Sequence, residues 1–520
     1  MDRLKRFFVN GILMTVVTLI IRYVSVNFNI YISNRIGAVS MGIFTLISTV
    51  YGFSLTLATS GINLATTKLV SEAMGRGSQC GDYDTSGTIR AIMRKSIIFS
   101  LSISFATAIL LFLCAPTIGE RILGDERTIS SLQILAFSLP AISLSSSLSG
   151  YFTALRRVYK NAAVHILSQG FRIYLCITLL GSTVAKDMES ACVAIVIGIT
   201  ISEILAFVFQ TILYIYDRKK ATSVGGRCDK RLAKKLLPIT IPVAFSAYMR
   251  SALVTVEHLL IPRGREKSGV SRDISLAAYG TMHSVVFPLV LFPSAISSSF
   301  AGLLVPEISE SDAADDKARI ERIISRVLKT VLIYSIGTAA VMICLSGELG
   351  AVLFPESDSA LYIALISPLI PIMYLDTSVD SILKGLGYQF YTMIVNIADA
   401  SMSVILVWIL LPRLGIVGYI ITVYFTEIVN AALSITKLLS VTKTRVRILD
   451  WIAKPILCAV ISTATLRYTL GYIGAPQSRG TVFLCIFAIA VIYLLGLVCL
   501  KTLSVRDIKI SVKNFINAKK

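Results

Sequence analysis

Blocks of about twenty apolar residues recur along this chain, and that recurrence limits the fold more than any other feature. A helix needs about 20 apolar residues to cross the hydrocarbon core of a bilayer. Such blocks lie at 8–33, 42–65, 96–117, 129–152, 162–180, 192–214, 237–260, 276–304, 327–345, 361–383, 391–411, 416–438, 451–472 and 482–500. Backbone polar groups in lipid are satisfied only in helices or closed barrels, and barrel strands are about half this long. The expected fold is an all-α polytopic membrane protein with about fourteen spans. Composition agrees: 55% of the 520 residues are hydrophobic and 15% charged, against about 25% charged in soluble domains. A soluble multidomain enzyme is excluded.

The net charge of +20 needs no nucleic-acid partner. Most of the cations fall in alternate connections: Arg3 to Arg6, Lys68 to Lys95, Arg156 to Lys160, Arg218 to Lys235, Lys317 to Lys329, Lys437 to Lys454, and the tail from Lys501. Basic residues stay on the cytoplasmic side, so both termini are expected there, and contact with membrane lipids uses the same charge. The basic start, Met1 to Arg6, leads into the first apolar block with no small-residue cleavage site after it, so it is read as an uncleaved span. The segment from Asp312 to Arg326 is expected to be an amphipathic interfacial helix.

The nine cysteines fall mostly inside spans with no CxxC pair, so they read as small apolar residues. His165, His258 and His283 share no ligand spacing. No metal and no cofactor is expected.

The chain repeats itself. Leu69-Val-Ser-Glu72 ends the second span, and Leu304-Val-Pro-Glu307 ends the eighth. Arg22 and Asn29 of the first span fall on Arg250 and Glu257 of the seventh. Ser202-Glu-Ile204 of the sixth falls on Thr426-Glu-Ile428 of the twelfth. An even number of spans separates the halves, so both share one orientation, and transporters place substrate between such repeats. The expected organisation is a six-helix lobe (1–216), a basic linker (217–236), a second six-helix lobe (237–440), and two further helices with a basic tail (441–520).

Ionisable groups inside spans are costly and face a bundle interior or water. Arg22, Ser25, Asn29 and Ser33 lie on one helical face, a polar stripe suited to a wet cavity. Ser246, Arg250 and Glu257 form the matching stripe. A guanidinium is always charged and binds phosphate in two-pronged fashion, so Arg22 and Arg250 are candidate ligands for a phosphate or diphosphate. An internal ion pair, Arg250 with Glu257, is the competing account. Arg172 could reach a cavity or run to the interface. Asp376, Asp380 and Lys384 share one face of the tenth span, as a cation or proton relay or as a ladder of ion pairs. Asp399, Glu203 and Glu427 are further carboxylates within spans, either coupling sites or interhelical hydrogen-bond partners. Prolines 140, 242, 288, 293, 368 and 371 inside spans favour bends.

The stretch Gly11-Ile-Leu-Met…Arg22…Ile36-Gly37…Met41-Gly42-Ile-Phe44, followed by Thr56-Leu-Ala-Thr-Ser-Gly61…Lys68-Leu-Val-Ser-Glu72, resembles the polysaccharide flippases of the multidrug/oligosaccharidyl-lipid/polysaccharide exporter superfamily. Within them it is similar to the stage V sporulation protein B group, with the lipid II flippases as near relatives. The resemblance implies two six-helix lobes around a cavity, two extra C-terminal helices, and transport rather than enzymatic catalysis. The implied substrate is a lipid-linked saccharide, moved across the bacterial cytoplasmic membrane by alternating access. It also implies that Arg22 and Arg250 serve the diphosphate; no other site residue is carried over, and Asn27, Asn29, Ser25 and Glu257 are read from their positions beside these arginines as polar neighbours toward the sugars. A cation-coupled drug exporter using Asp376, Asp380 or Asp399 is the alternative. A polytopic glycosyltransferase is disfavoured, since the external connections are short and hold no paired acids with a base.

Overall fold

The structure, a computed structural model, describes residues 2–79, 84–155, 157–183, 188–220, 236–313, 316–354, 358–444, 446–473 and 478–502. Most of the basic linker and the tail from 503 lie outside the described residues. Those described are helical with no strand. In chain order the α-helices are α1 (Asp2–Thr59), α2 (Ile62–Gln79), α3 (Thr85–Thr117), α4 (Thr128–Ala136), α5 (Ser138–Ala154), α6 (Val158–Thr183) and α7 (Met188–Lys220). Then follow α8 (Leu236–Lys267), α9 (Arg272–Gly280), α10 (Phe287–Leu291), α11 (Ser294–Ala313), α12 (Lys317–Cys344) and α13 (Ser346–Leu353). The last are α14 (Ser359–Ile366), α15 (Ile370–Gly385), α16 (Gln389–Leu414), α17 (Ile416–Thr442), α18 (Lys454–Ile473) and α19 (Arg479–Cys499).

Twelve segments of the described residues are long and apolar enough to cross a membrane, against about fourteen expected. The difference lies at two places. The first two expected spans belong to one helix, and residues 20–76 count as a single apolar segment. Within α1 only Gly37 leaves helical geometry, at φ 80° and ψ 165°, a conformation that glycine adopts without a Cβ penalty. The seventh expected span lies in the 32-residue helix α8, part of whose side chains fall outside the described residues that were counted. Nor does the segment from Asp312 form a separate interfacial helix. Asp316 caps α12, its carboxylate accepting from Arg319 N at 2.9 Å, and the helix runs on into the ninth expected span.

The chain divides into two compact units. One is continuous, Val39–Pro262; the other joins Met1–Ala38 to Arg263–Lys520. This division by packing differs from the division by repeat, because the first span of each half packs with the other half's helices. Asn34 donates to Leu353 O at 3.0 Å in the discontinuous unit. In the continuous unit Tyr248 of α8 donates to Leu57 O at 3.0 Å and Ser251 to Thr56 Oγ1 at 3.2 Å.

The continuous unit is glued by hydroxyls. Thr66 and Ser96 meet at 2.6 Å, Ser96 donates to Ser147 at 3.1 Å, Ser100 and Ser143 meet at 2.7 Å, and Ser143 donates to Ala58 O at 2.7 Å. These groups are fully buried, and small hydroxylated residues let membrane helices approach and bond. Gly150 extends the close approach: a Cβ there would stand 2.8 Å from Asn63 O. Where α5, α6 and α7 meet, buried Asp217 joins Arg157 at 2.6 Å and also pairs with Lys160.

In the discontinuous unit, Ile320, Ile324, Leu328 and Leu332 of α12 bury one stripe against Val379, Ile382 and Leu383 of α15. The C-terminal helices dock on α12. Tyr493 of α19 donates to Ile333 O at 2.8 Å, with its ring over Gly337. Arg467 of α18 pairs with Glu348 of α13 at 2.5 Å. Four of the expected proline bends coincide with helix boundaries. Pro288 starts α10, Pro293 precedes α11, Pro368 sits in a 3-10 turn and Pro371 starts α15. Pro140 stands in the first turn of α5, and Pro242 inside α8.

Candidate functional site

The discontinuous unit holds the Arg22 stripe. Arg22 is half-buried on α1, and its Nη1 donates to the Ser294 hydroxyl at 3.2 Å. Ser294 is buried and opens α11 just after the helix break at Phe292–Pro293. Among the described residues this hydroxyl is the one hydrogen-bond partner of the guanidinium, and no carboxylate pairs with it. Ser25 and Asn29 are half-buried on the same face. Asn27 is exposed and its amide donates to Tyr23 O at 2.9 Å, one turn back on its own helix.

The carboxylates of the tenth span lie in the same unit. Asp376 of α15 accepts from Asn430 Nδ2 of α17 at 3.1 Å. Asn430 Oδ1 is buried with no hydrogen-bond partner among the described residues, and the Ser434 hydroxyl faces the Asp376 carboxyl. One turn on, Asp380 accepts from Asn396 Nδ2 of α16 at 3.2 Å and from Lys384 at 3.5 Å. Asp376 feels the charges of both Asp380 and Asp399. Asp399 and Glu427 are half-buried. Three neighbouring helices thus gather acidic and amide oxygens, some of which have unused acceptor capacity.

The remaining candidates lie in the continuous unit. Arg250 is exposed on α8, and Glu257, two turns on along the same face, is half-buried. A neighbouring side of α8 is used for packing, through Tyr248, Ser251 and His258, whose Nδ1 stands 3.4 Å from Thr49 Oγ1. Arg172 of α6 forms an ion pair with Glu203 of α7 and points Nε to Ser202 at 3.4 Å. The structure therefore joins Arg172 to Glu203, Asp380 to Lys384, and Asp376 to Asn430.

Ser294, Asn430 and Ser434 were not singled out in the sequence. A charge-based search passes over hydroxyls and amides, and serine is common in this chain's spans. Only Pro293, directly before Ser294, marked the place.

Such a fold, all helices among the described residues, with polar groups gathered inside apolar spans, is that of a multi-pass membrane protein. The match to the family described as polysaccharide biosynthesis protein covers residues 7–312, so the chain belongs to that family. Residues 268–409 also match the MatE family. The chain is 22% identical to stage V sporulation protein B of Bacillus subtilis (strain 168), across 89% of this chain and 90% of that protein. It is 23% identical to the lipid II flippase MurJ of the same organism, across 76% of this chain and 75% of the other. The fold is that of the solved lipid II flippase MurJ in an inward closed conformation, with a TM-score of 0.70 at 14% identity, over 93% of this chain and 98% of that one. An inward-facing multidrug resistance MATE transporter aligns with a TM-score of 0.64 at 15% identity, over 83% of this chain and 100% of the other.

Proposed function

We propose that this protein moves a lipid-linked saccharide, carried on a polyprenyl diphosphate, across the bacterial plasma membrane by alternating access. The observation that carries the reading is the Arg22 guanidinium. It is a permanent charge within a span, half-buried, and held by a neutral hydroxyl. Charges in such positions are normally neutralised by a partner, as Glu203 does for Arg172. A guanidinium held by an oxygen acceptor and keeping most of its five donors suits a substrate that brings its own anion. Arg250, at the repeat-related position, is assigned to the same diphosphate, with Ser25, Asn29 and Glu257 toward the sugars; Asn27 has its amide on its own helix. The repeat-related halves are assigned to 1–216 and 237–440, joined by the linker 217–236 and followed by 441–520, with both termini cytoplasmic. The relatives named for lipid II transport and sporulation support this substrate class.

The oxygens of Asp376, Asn430 and Ser434, gathered within the spans, favour a second role: entry of a cation or proton that drives the cycle. The same oxygens are what a cation-coupled multidrug exporter would use, which is the second reading. Arg172, Glu203, Asp380 and Lys384 are assigned to helix packing through their ion pairs.

Complementation of a flippase-deficient strain tests the proposal. Arg22→Ala is expected to abolish complementation with membrane abundance unchanged, and Arg22→Lys to restore it only in part, because an ammonium lacks the planar fork. Full activity of Arg22→Ala removes this residue from the site.

A further inference from the structure

The break before α11 is held by tyrosine hydroxyls from two other helices. Pro293 has no N–H to give, so the backbone around it reaches back three residues instead of four: Phe292 N to Leu289 O at 3.3 Å, Ala295 N to Phe292 O at 3.2 Å, and Ile296 N to Pro293 O at 3.2 Å. Carbonyls on both sides of the break take side-chain donors. Tyr374 of α15 donates to Val290 O at 2.7 Å, and Tyr334 of α12 donates to Pro293 O at 3.0 Å. The two rings stack with centroids 6.2 Å apart and planes inclined by 30°, and Tyr374 is fully buried. Between these struts, Ser294 donates its only hydroxyl hydrogen to Leu291 O at 2.7 Å.

That last bond has a chemical consequence. A serine oxygen whose hydrogen is committed can only accept, and a guanidinium can only donate. Ser294 is therefore fixed as an acceptor for Arg22 Nη1 at 3.2 Å. We propose that Tyr374 and Tyr334 are positioning residues for Arg22: by splinting the α10–α11 break they fix Ser294, and Ser294 fixes the guanidinium. The assignment to substrate binding rests on the diphosphate reading above; the mechanical coupling does not. Neither tyrosine is asked to touch the substrate. Each removes freedom from Arg22, which does, and so lowers the cost of ordering it at binding.

Two readouts separate the coupling from the function. Full-length protein in nanodiscs is treated with phenylglyoxal, which reacts with arginine, and labelling of Arg22 is followed by peptide mass spectrometry. Tyr374→Phe keeps the ring and removes the hydroxyl. It is expected to raise the labelling rate at Arg22 severalfold, as is Tyr334→Phe to a smaller extent, with the rate at exposed Arg250 unchanged. Equal Arg22 rates in wild type and both variants overturn the proposal. Binding of undecaprenyl diphosphate is then measured, with undecaprenol as the uncharged control. Tyr374→Phe is expected to weaken diphosphate binding about tenfold, the effect of about one hydrogen bond, and to have no further effect in an Arg22→Ala protein. An equal loss in both backgrounds overturns the positioning role, since the tyrosine then acts independently of Arg22. Faster labelling with binding unchanged leaves the splint standing and sinks the diphosphate reading.

Discussion

Two arginines within spans meet different fates. Arg172 has a carboxylate partner across the α6–α7 contact, and Arg22 has a serine. The Arg172 pair is about three-quarters buried, so removing one partner strands a charge, whereas removing both does not. Arg172→Ala is expected to destabilise the protein by about 1–3 kcal/mol, a value below that of a fully buried pair because of the partial exposure. The double variant Arg172→Ala/Glu203→Gln is expected to recover most of that loss in thermal unfolding. Asp376 gives a different prediction. Asp376→Asn is expected to keep membrane abundance and substrate retention while removing the dependence of transport on a cation gradient. Unaltered gradient dependence takes Asp376 out of the coupling path. At this scale the charged candidates were legible, because charge in an apolar block stands out on composition alone. Their partners were not: whether Arg172 or Arg22 would be neutralised depended on Glu203 and Ser294, which lie far along the chain.

Four helix boundaries fall at prolines, and one long helix bends at a glycine. Pro288, Pro293, Pro368 and Pro371 mark boundaries because each lacks an N–H for the preceding turn. Those breaks could be read from sequence. The kink at Gly37, where φ is 80°, could not, since a glycine within an apolar helix has no unique outcome. Close helix contacts are similarly hidden until the partner is known. A Cβ on Gly337 would lie 2.7 Å from Cε1 of Tyr493. Gly337→Ala is expected to push α19 off α12 at a cost of about 1–3 kcal/mol. Tyr493→Ala is expected to cost less in that background than in wild type, read as melting temperature in detergent. Asp217→Asn leaves Arg157 and Lys160 unneutralised at the meeting point of α5, α6 and α7. The variant is expected to open that corner to protease first.

For the whole molecule, the membrane class followed from block length alone, and the family assignment covers more than half the chain. The count of spans was less direct: α1 carries two expected spans without a loop. Which first span packs with which unit was invisible to the repeat, since repeat-related residues share a pattern whichever helices they meet. Residues 1–38 belong with 263–520 through contacts such as Arg22 to Ser294 and Asn34 to Leu353. The proposed function rests on the Arg22 guanidinium, inside a span and bonded to a neutral hydroxyl. Native mass spectrometry of protein purified from bacterial membranes tests that most directly. The account predicts a retained polyprenyl-diphosphate saccharide on the wild-type chain and its loss from Arg22→Ala. A retained drug-like cation, or the same lipid bound equally by both proteins, would contradict it.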